Sequence, residues 1–149
     1  EIASFPTSVG GLIISNTDHI AQEDALRINW TKSDGDYLRI SSAKPNDMAR
    51  QSNGAMELTF NAKSFTGSDT VVQIGQCDAS ATCDNTLDIT ISGDWNEYRI
   101  SLSCFEKLGV DMTNITSALV IKARKGVDIG LGNVRLESDL DAKPGCDGN

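Results

Sequence analysis

The chain has one histidine, His19, within Asn16-Thr17-Asp18-His19, and it is the sole side chain suited by its ordinary pKa to act as a base near neutral pH. A serine triad would have to use it, and a metal site built on several histidines cannot form. The sequence has no GxxxxGKS/T, GxGxxG or GxSxG segment, so it offers no phosphate-cradling loop, dinucleotide turn or nucleophile elbow. His19 therefore reads as an exposed loop residue rather than a catalytic base. Acidic side chains can gather around calcium, but there is no Asp-x-Asp-x-Asp-Gly run. Ser33-Asp34-Gly35-Asp36 comes nearest and reads better as a hairpin turn. No metal or cofactor is expected, structural calcium included.

The second reactive set is four cysteines, Cys77, Cys83, Cys104 and Cys146, which allow three pairings. The sequence does not choose strictly among them, but loop geometry favours two. Cys77 and Cys83 flank Asp78-Ala79-Ser80-Ala81-Thr82, a polar, turn-like stretch that a short bridge would staple. Cys146 lies in Lys143-Pro144-Gly145-Cys146-Asp147-Gly148-Asn149, a tail that frays unless tied down. The expected bridges are Cys77–Cys83 and Cys104–Cys146. The rival is one zinc ion held by all four thiolates, which the absence of any CxxC knuckle disfavours. Disulfides imply an oxidising compartment, either secreted or periplasmic.

Composition bounds the rest. The chain has 149 residues, 39% hydrophobic and 23% charged, the balance of one soluble globular domain over 1–149 with a tail at 138–149. Thirteen basic against 21 acidic residues give a net charge of −8, which repels phosphate backbones and disfavours nucleic acid as a partner. No apolar run approaches the ~20 residues that span a bilayer, so membrane insertion is not expected. The chain opens at Glu1 with neither an initiator methionine nor a signal peptide, and reads as a fragment or mature segment of something longer.

The elements that must position these residues are short and alternate with period two. Gly11–Ile14, Leu26–Trp30, Tyr37–Ile40, Met56–Phe60, Val71–Ile74, Leu87–Ile91, Tyr98–Leu102, Leu119–Ile121, Val127–Leu131 and Val134–Leu136 are the strand candidates. Ser15 to Gln22 is polar and reads as loop. Cys104–Leu108 reads as one helical turn stopped by Gly109. Many short strands with turn residues between them predict an all-β, antiparallel sandwich, specifically a jelly roll, with a closed up-and-down barrel as the alternative.

One ordered series of residues carries a resemblance. It runs Ile28-Asn29-Trp30-Thr31 and Gly35, Gly75-Gln76-Cys77-Asp78 with Cys83, Leu87-Asp88-Ile89-Thr90, and Gly93-Asp94-Trp95. It continues through Arg99-Ile100-Ser101-Leu102-Ser103-Cys104-Phe105 and Gly109-Val110-Asp111-Met112 to Asn133-Val134-Arg135-Leu136. This series, over roughly residues 25–137, resembles the extra C-terminal domain of some bacterial family 3 glycoside hydrolases, which are exo-1,3/1,4-β-glucanases and β-glucosidases. The Cys-Phe and Gly-x-Asp-Met portion is its most specific part. The resemblance implies a galactose-binding-like jelly roll, similar in architecture to carbohydrate-binding modules. It also implies that nucleophile and acid/base belong to other domains of a longer chain, so no residue here is assigned a catalytic role and this segment is not expected to be an enzyme by itself.

Sugar recognition needs flat apolar faces for C–H groups and polar side chains for hydroxyls. Tyr37 has opposite parity to Leu38 and Ile40 and is expected to be exposed, which makes it the best stacking candidate. Trp95 has opposite parity to Tyr98 and Ile100 and either faces outward or plugs one end of the sandwich. Trp30 shares the parity of Leu26 and Ile28, so a core role competes with sugar contact. Phe60 and Phe105 are expected in the core. Arg39, Glu57, Arg99, Lys122 and Arg124 fall on outward positions, either as solvated faces with cross-strand ion pairs or as a groove that binds hydroxyls. Tyr37, Trp95, Trp30 and Arg39 are the candidate carbohydrate contacts. The function expected is a non-catalytic accessory domain of a secreted exo-β-glucanase, packed against the catalytic domains of the same chain and aiding β-glucan binding near the active-site entrance. The alternative is an autonomous carbohydrate-binding module that grips a β-1,3/1,4-glucan oligosaccharide on one sheet face.

Overall fold

The computed structural model describes residues 5–9, 11–22, 24–32, 36–49, 56–79, 83–138 and 146, with the backbone alone at 5–9 and 42–46. Among these residues the elements are β1 (Phe5–Val9), β2 (Leu12–Thr17), β3 (Ala25–Trp30), β4 (Tyr37–Asn46), β5 (Met56–Ser64), β6 (Thr70–Asp78), β7 (Thr86–Ile91), β8 (Asn96–Ser101), α1 (Leu102–Lys107), β9 (Ile115–Lys122) and β10 (Asp128–Ser138). The strands form two five-stranded sheets. The first has the order β1-β4-β9-β6-β7 and the second β2-β3-β10-β5-β8. Every ladder is antiparallel. Only β2–β3 and β6–β7 are neighbours in both sequence and sheet; every other connection between strands crosses to the opposite layer. The fold is the antiparallel β-sandwich that period-two burial predicts, and its two separate sheets exclude the single closed barrel.

Inward side chains of both sheets meet in one apolar cluster that includes Ile28, Trp30, Leu38, Leu58, Phe60, Ile74, Ile89, Ile100 and Ile121. Phe60 faces Tyr98 across the β5–β8 ladder, their rings 5.7 Å apart and stacked. The Tyr98 hydroxyl, at the rim of this core, accepts the Ser92 amide at 2.9 Å, which satisfies the polar end of a buried ring. Cys77 is bonded to Cys83 and Cys104 to Cys146, the two bridges that loop geometry favours.

Several boundaries differ from expectation for physical reasons. β1 carries Pro6, and it sits at a sheet edge, where a missing amide donor is tolerated. β2 runs on to Thr17, into the stretch read as loop, because pairing with Ala25 and Leu26 satisfies its polar residues. The two segments Val127–Leu131 and Val134–Leu136 are one strand, β10, broken by a register shift between Gly132 and Arg135 where Asn133 adopts φ 52°. β3 and β4 belong to opposite sheets and do not pair with each other; the Ser33–Gly35 stretch read as a hairpin turn lies outside the described residues.

The helical turn starts two residues earlier than expected, with Leu102 leaving the β8 ladder to be buried in α1. It ends as a Schellman motif, in which the Gly109 amide donates to Glu106 O at 3.0 Å and the Val110 amide to Phe105 O at 3.2 Å. Gly109, at φ 99°, supplies the left-handed residue this closure needs.

Candidate functional site

The four candidate sugar contacts fall in three places. Trp30 is 0% exposed in the core, its indole N–H donated to the Asp36 carbonyl at 2.5 Å. It offers no ring face to a ligand, so its candidacy as a contact is corrected: the parity it shares with Ile28 turns it inward. Tyr37 and Arg39 share the outer face of the first sheet, and Trp95 lies on the outer face of the second.

On the first sheet, cross-strand register builds a straight row. Tyr37 faces Lys122, Lys122 faces Gln73, and Gln73 faces Asp88, spanning β4, β9, β6 and β7. Tyr37 is half-buried against a small cluster of Cys77, Cys83 and Val120, so the short disulfide walls one side of the face. The Lys122 ammonium stands 5.2 Å from the centre of the Tyr37 ring and 3.1 Å from Asp84 Oδ1. One row over, Arg39 faces Val120, and its Nε donates to Ser117 Oγ at 2.9 Å. On the other side of the row an open groove of about 680 Å³ is lined by Asp69, Thr70, Val71, Gln73, Asp88 and Arg124, among others. Val71 is 53% exposed, an apolar strip beside polar walls. The side chains of Gln73 and Asp88 are exposed and have no partner among the described residues. A carboxylate, an amide, a guanidinium and an ammonium flanking apolar surface suit a neutral, polyhydroxylated ligand.

The second sheet presents a different surface. Gly130 faces Arg27 on one side and Lys63 on the other. Over this row lies Trp95, whose ring is 4.2 Å from that of His19. Beside it is Phe65, with the Arg27 guanidinium 4.2 Å and the Lys63 ammonium 5.2 Å from its ring centre. Arg27 also makes a two-pronged pair with Asp128, at 3.0 and 2.7 Å, and this hydrogen-bonded carboxylate raises the guanidinium above its ordinary value. Trp95 does face outward, but His19 on one side and the backbone of Gly130 on the other already occupy it. His19 is itself half-buried, not the freely exposed loop residue expected, and its Nδ1 is buried without a hydrogen-bond partner among the described residues. Glu57 and Thr59 also point outward by parity, yet both are 0% exposed.

Acidic loop residues are turned to their own backbone. Asp24 accepts the amides of His19, Ile20 and Ala21 at 2.6–3.0 Å. The Ala21 amide contributes most to holding that carboxyl below its ordinary 3.8. Asp111 accepts the Thr113 hydroxyl and amide at 2.6 and 3.0 Å and the Asn114 side-chain amide at 3.3 Å, and it too is held low, chiefly by the hydroxyl. Among the described residues no three His, Cys, Asp or Glu side chains converge as a metal site.

Sequence reasoning placed Tyr37 and Arg39 on a common outward face. It missed Gln73, Asp88, Phe65 and His19 as surface-building residues, because register between strands distant in sequence brings them together.

The galactose-binding domain-like family Exop_C matches the sequence over residues 2–136. The chain belongs to this family. No curated protein matches it in sequence. Among solved structures this Exop_C domain is similar to part of an exo-β-agarase (TM-score 0.71, 14% identity, 96% of this chain and 24% of that one). It is also similar to the extra C-terminal domain of the exo-1,3/1,4-β-glucanase ExoP from a Pseudoalteromonas species (TM-score 0.64, 16% identity, 91% of this chain and 78% of that one). A third is the family 30 carbohydrate-binding module of a cellulosomal cellulase of Clostridium thermocellum (TM-score 0.62, 16% identity, 94% of each). The Exop_C domain thus spans about a quarter of the agarase, and at these identities the likeness establishes the sandwich fold. It extends to both an agarase and a glucanase, so it does not single out family 3 as the parent.

Proposed function

We propose that this Exop_C domain is a non-catalytic accessory domain of an extracellular glycoside hydrolase and binds a β-1,3/1,4-glucan along the outer face of its first sheet. The observation that carries the reading is the row Tyr37–Lys122–Gln73–Asp88 leading into a groove with an exposed apolar strip at Val71. Asp88 accepts from hydroxyls, Gln73 both donates and accepts, Lys122 and Arg124 donate, and Val71 and Tyr37 offer apolar surface to C–H groups. The two disulfides fit a secreted or periplasmic setting.

Titration calorimetry and affinity gel electrophoresis with laminarin, barley β-glucan and agarose test it. Binding of a β-glucan is expected, weakened by Tyr37→Ala and abolished by Gln73→Ala with Asp88→Ala. Absence of binding to all three polymers overturns it, and binding to agarose alone overturns the glucan assignment.

A second reading, compatible with the first, has the domain packed against catalytic domains of the same polypeptide through the second sheet. Ile13, 58% exposed on the outer side of edge strand β2 and facing Asn29, favours it, as an apolar residue next to a face already paved with rings. Deleting the domain from the parent hydrolase is expected to lower the parent's thermal stability; an unchanged melting temperature rejects this reading.

A further inference from the structure

At one end of the sandwich the inner faces part. The inward positions of β2 run Leu12, Ile14, Asn16, and the third of these is an amide where alternation calls for an apolar residue. Asn16 faces Leu26 on β3, and Leu26 faces Leu131 on β10. With Ile40 of the opposite sheet and Val134 of β10, they line a pocket of about 270 Å³. Its polar lining is Asn16, Asn133 and Asp24, the last between strands β2 and β3. Asn133 sits at the β10 register shift with φ 52°. Left-handed backbone at a non-glycine residue concentrates where a side chain must be re-aimed.

We propose that this end pocket is a second carbohydrate site, separate from the first-sheet face, which takes one terminal pyranose ring end-on. The class of ligand follows from the lining. Aliphatic side chains of Leu26, Ile40, Leu131 and Val134 meet a ring's C–H surface, and two carboxamides each donate and accept toward its hydroxyls. No cation lines the pocket among the described residues, and the Asp24 carboxylate repels anions. That carboxylate already accepts three backbone amides, so it is poorly disposed to hold a metal cation. A purely apolar ligand would leave both amides desolvated and unpaired, which is unfavourable. The volume lies just below the lower bound for drug-sized sites, roughly 300 Å³, which suits one ring and not a chain. The inference rests on the glycan-binding reading only for the ligand's class, since the pocket shares no residue with the first-sheet groove.

The test is a chemical-shift titration of the ¹⁵N-labelled chain with methyl β-D-glucopyranoside and methyl β-D-galactopyranoside, followed by variants. Saturable shifts are expected at Ala25, Leu26, Leu131 and Val134 for at least one glycoside, with the apparent Kd raised about two- to tenfold by Asn16→Ala, the loss of roughly one neutral hydrogen bond. Asn133→Gly removes the second amide without straining the left-handed backbone, and it is expected to weaken binding in the same way. Tyr37→Ala is expected to leave these shifts unchanged, even if it abolishes polymer binding. Shifts confined to the first-sheet face, no saturable shift at the pocket, or pocket shifts indifferent to both Asn16→Ala and Asn133→Gly overturn the proposal. The shift map of the unmodified chain decides the matter if a variant fails to fold.

Discussion

Trp95 lies on the backbone of Gly130 so closely that a Cβ at position 130 would stand 2.6 Å from Cη2 of the indole and 3.0 Å from Cζ2. Phe65 Cε2 would be 3.2 Å away. The glycine is what lets two aromatic rings rest on a strand flanked by Arg27 and Lys63. Gly130→Ala is therefore expected to overpack this surface and cost about 1–3 kcal/mol, read as a lower denaturant midpoint with a changed near-ultraviolet tryptophan signal. Gly130→Ala combined with Trp95→Ala should cost less than the sum of the two single changes; strict additivity would show that the ring does not bear on position 130.

How far such contacts could be read in advance depends on their range. Alternation located most of the strands, because a half-buried sheet imposes period two on the sequence itself. It set the inward face correctly at Leu58, Phe60 and Ile100, all essentially buried. Parity states which face a side chain leaves, not what it meets there. Gln73 and Lys122 stand opposite only because β6 and β9 pair, and nothing local to either residue signals it. The same gap explains Glu57 and Thr59, outward by parity yet buried. Gly130 was the one local hint of the Trp95 stack, since glycine inside a strand often marks a close approach. β1 escaped because proline argues against a strand except at an edge, and edge position is a property of the fold.

Asp24 supplies a pH-dependent prediction. Its carboxylate accepts three amides of the 19–21 turn, with the Ala21 amide the largest influence in lowering its pKa below 3.8. A group depressed in the folded state stabilises it above the unfolded value, and that contribution is lost as pH falls through the folded value. The turn that carries His19 over Trp95 is thus expected to be intact at neutral pH and to loosen only below about pH 3.8. Amide exchange or chemical shifts of His19, Ile20 and Ala21 across an acid titration would report it, and Asp24→Asn should loosen the turn at neutral pH. Shifts at these amides that midpoint above the ordinary aspartate value would contradict the assignment.

Glu57 is 0% exposed, whereas the Arg99 side chain that pairs with its Oε1 is 41% exposed. Glu57 Oε2 has no hydrogen-bond partner among the described residues. Removing Arg99 would leave a buried carboxylate poorly compensated, at a cost of about 1–3 kcal/mol or more. Replacing both members with apolar residues removes the charge as well as its partner. Arg99→Leu alone is therefore expected to destabilise the domain more than Arg99→Leu with Glu57→Leu. Urea unfolding of the four species in the cycle checks it, and a double variant less stable than Arg99→Leu would show that the uncompensated Glu57 carboxylate is not what makes the single change costly.

The two disulfides should differ in what they contribute, and the reason lies in the loops they close. Cys77–Cys83 has a sequence separation of 6 and Cys104–Cys146 one of 42. If a bridge acts mainly by restricting the unfolded chain, loop-closure entropy gives about 2.4 kcal/mol for the short bridge and about 4 kcal/mol for the long one. The native contacts of the two bridges act in opposite directions on that difference. Cys77 and Cys83 pack with Val120 beneath Tyr37, so serine there also places hydroxyls in an apolar cluster and adds to the cost of losing the short bridge. Cys104 is buried in α1 beside Phe105, whereas Cys146 is exposed. Denaturant unfolding of Cys77→Ser with Cys83→Ser and of Cys104→Ser with Cys146→Ser is expected to show the larger loss for the second pair. An equal or larger loss for the first pair would mean that packing under Tyr37, not chain entropy, sets the value of the short bridge. Glucan binding should separate the pairs in the other sense: only loss of Cys77–Cys83 removes the wall beside Tyr37, so only that variant is expected to weaken it.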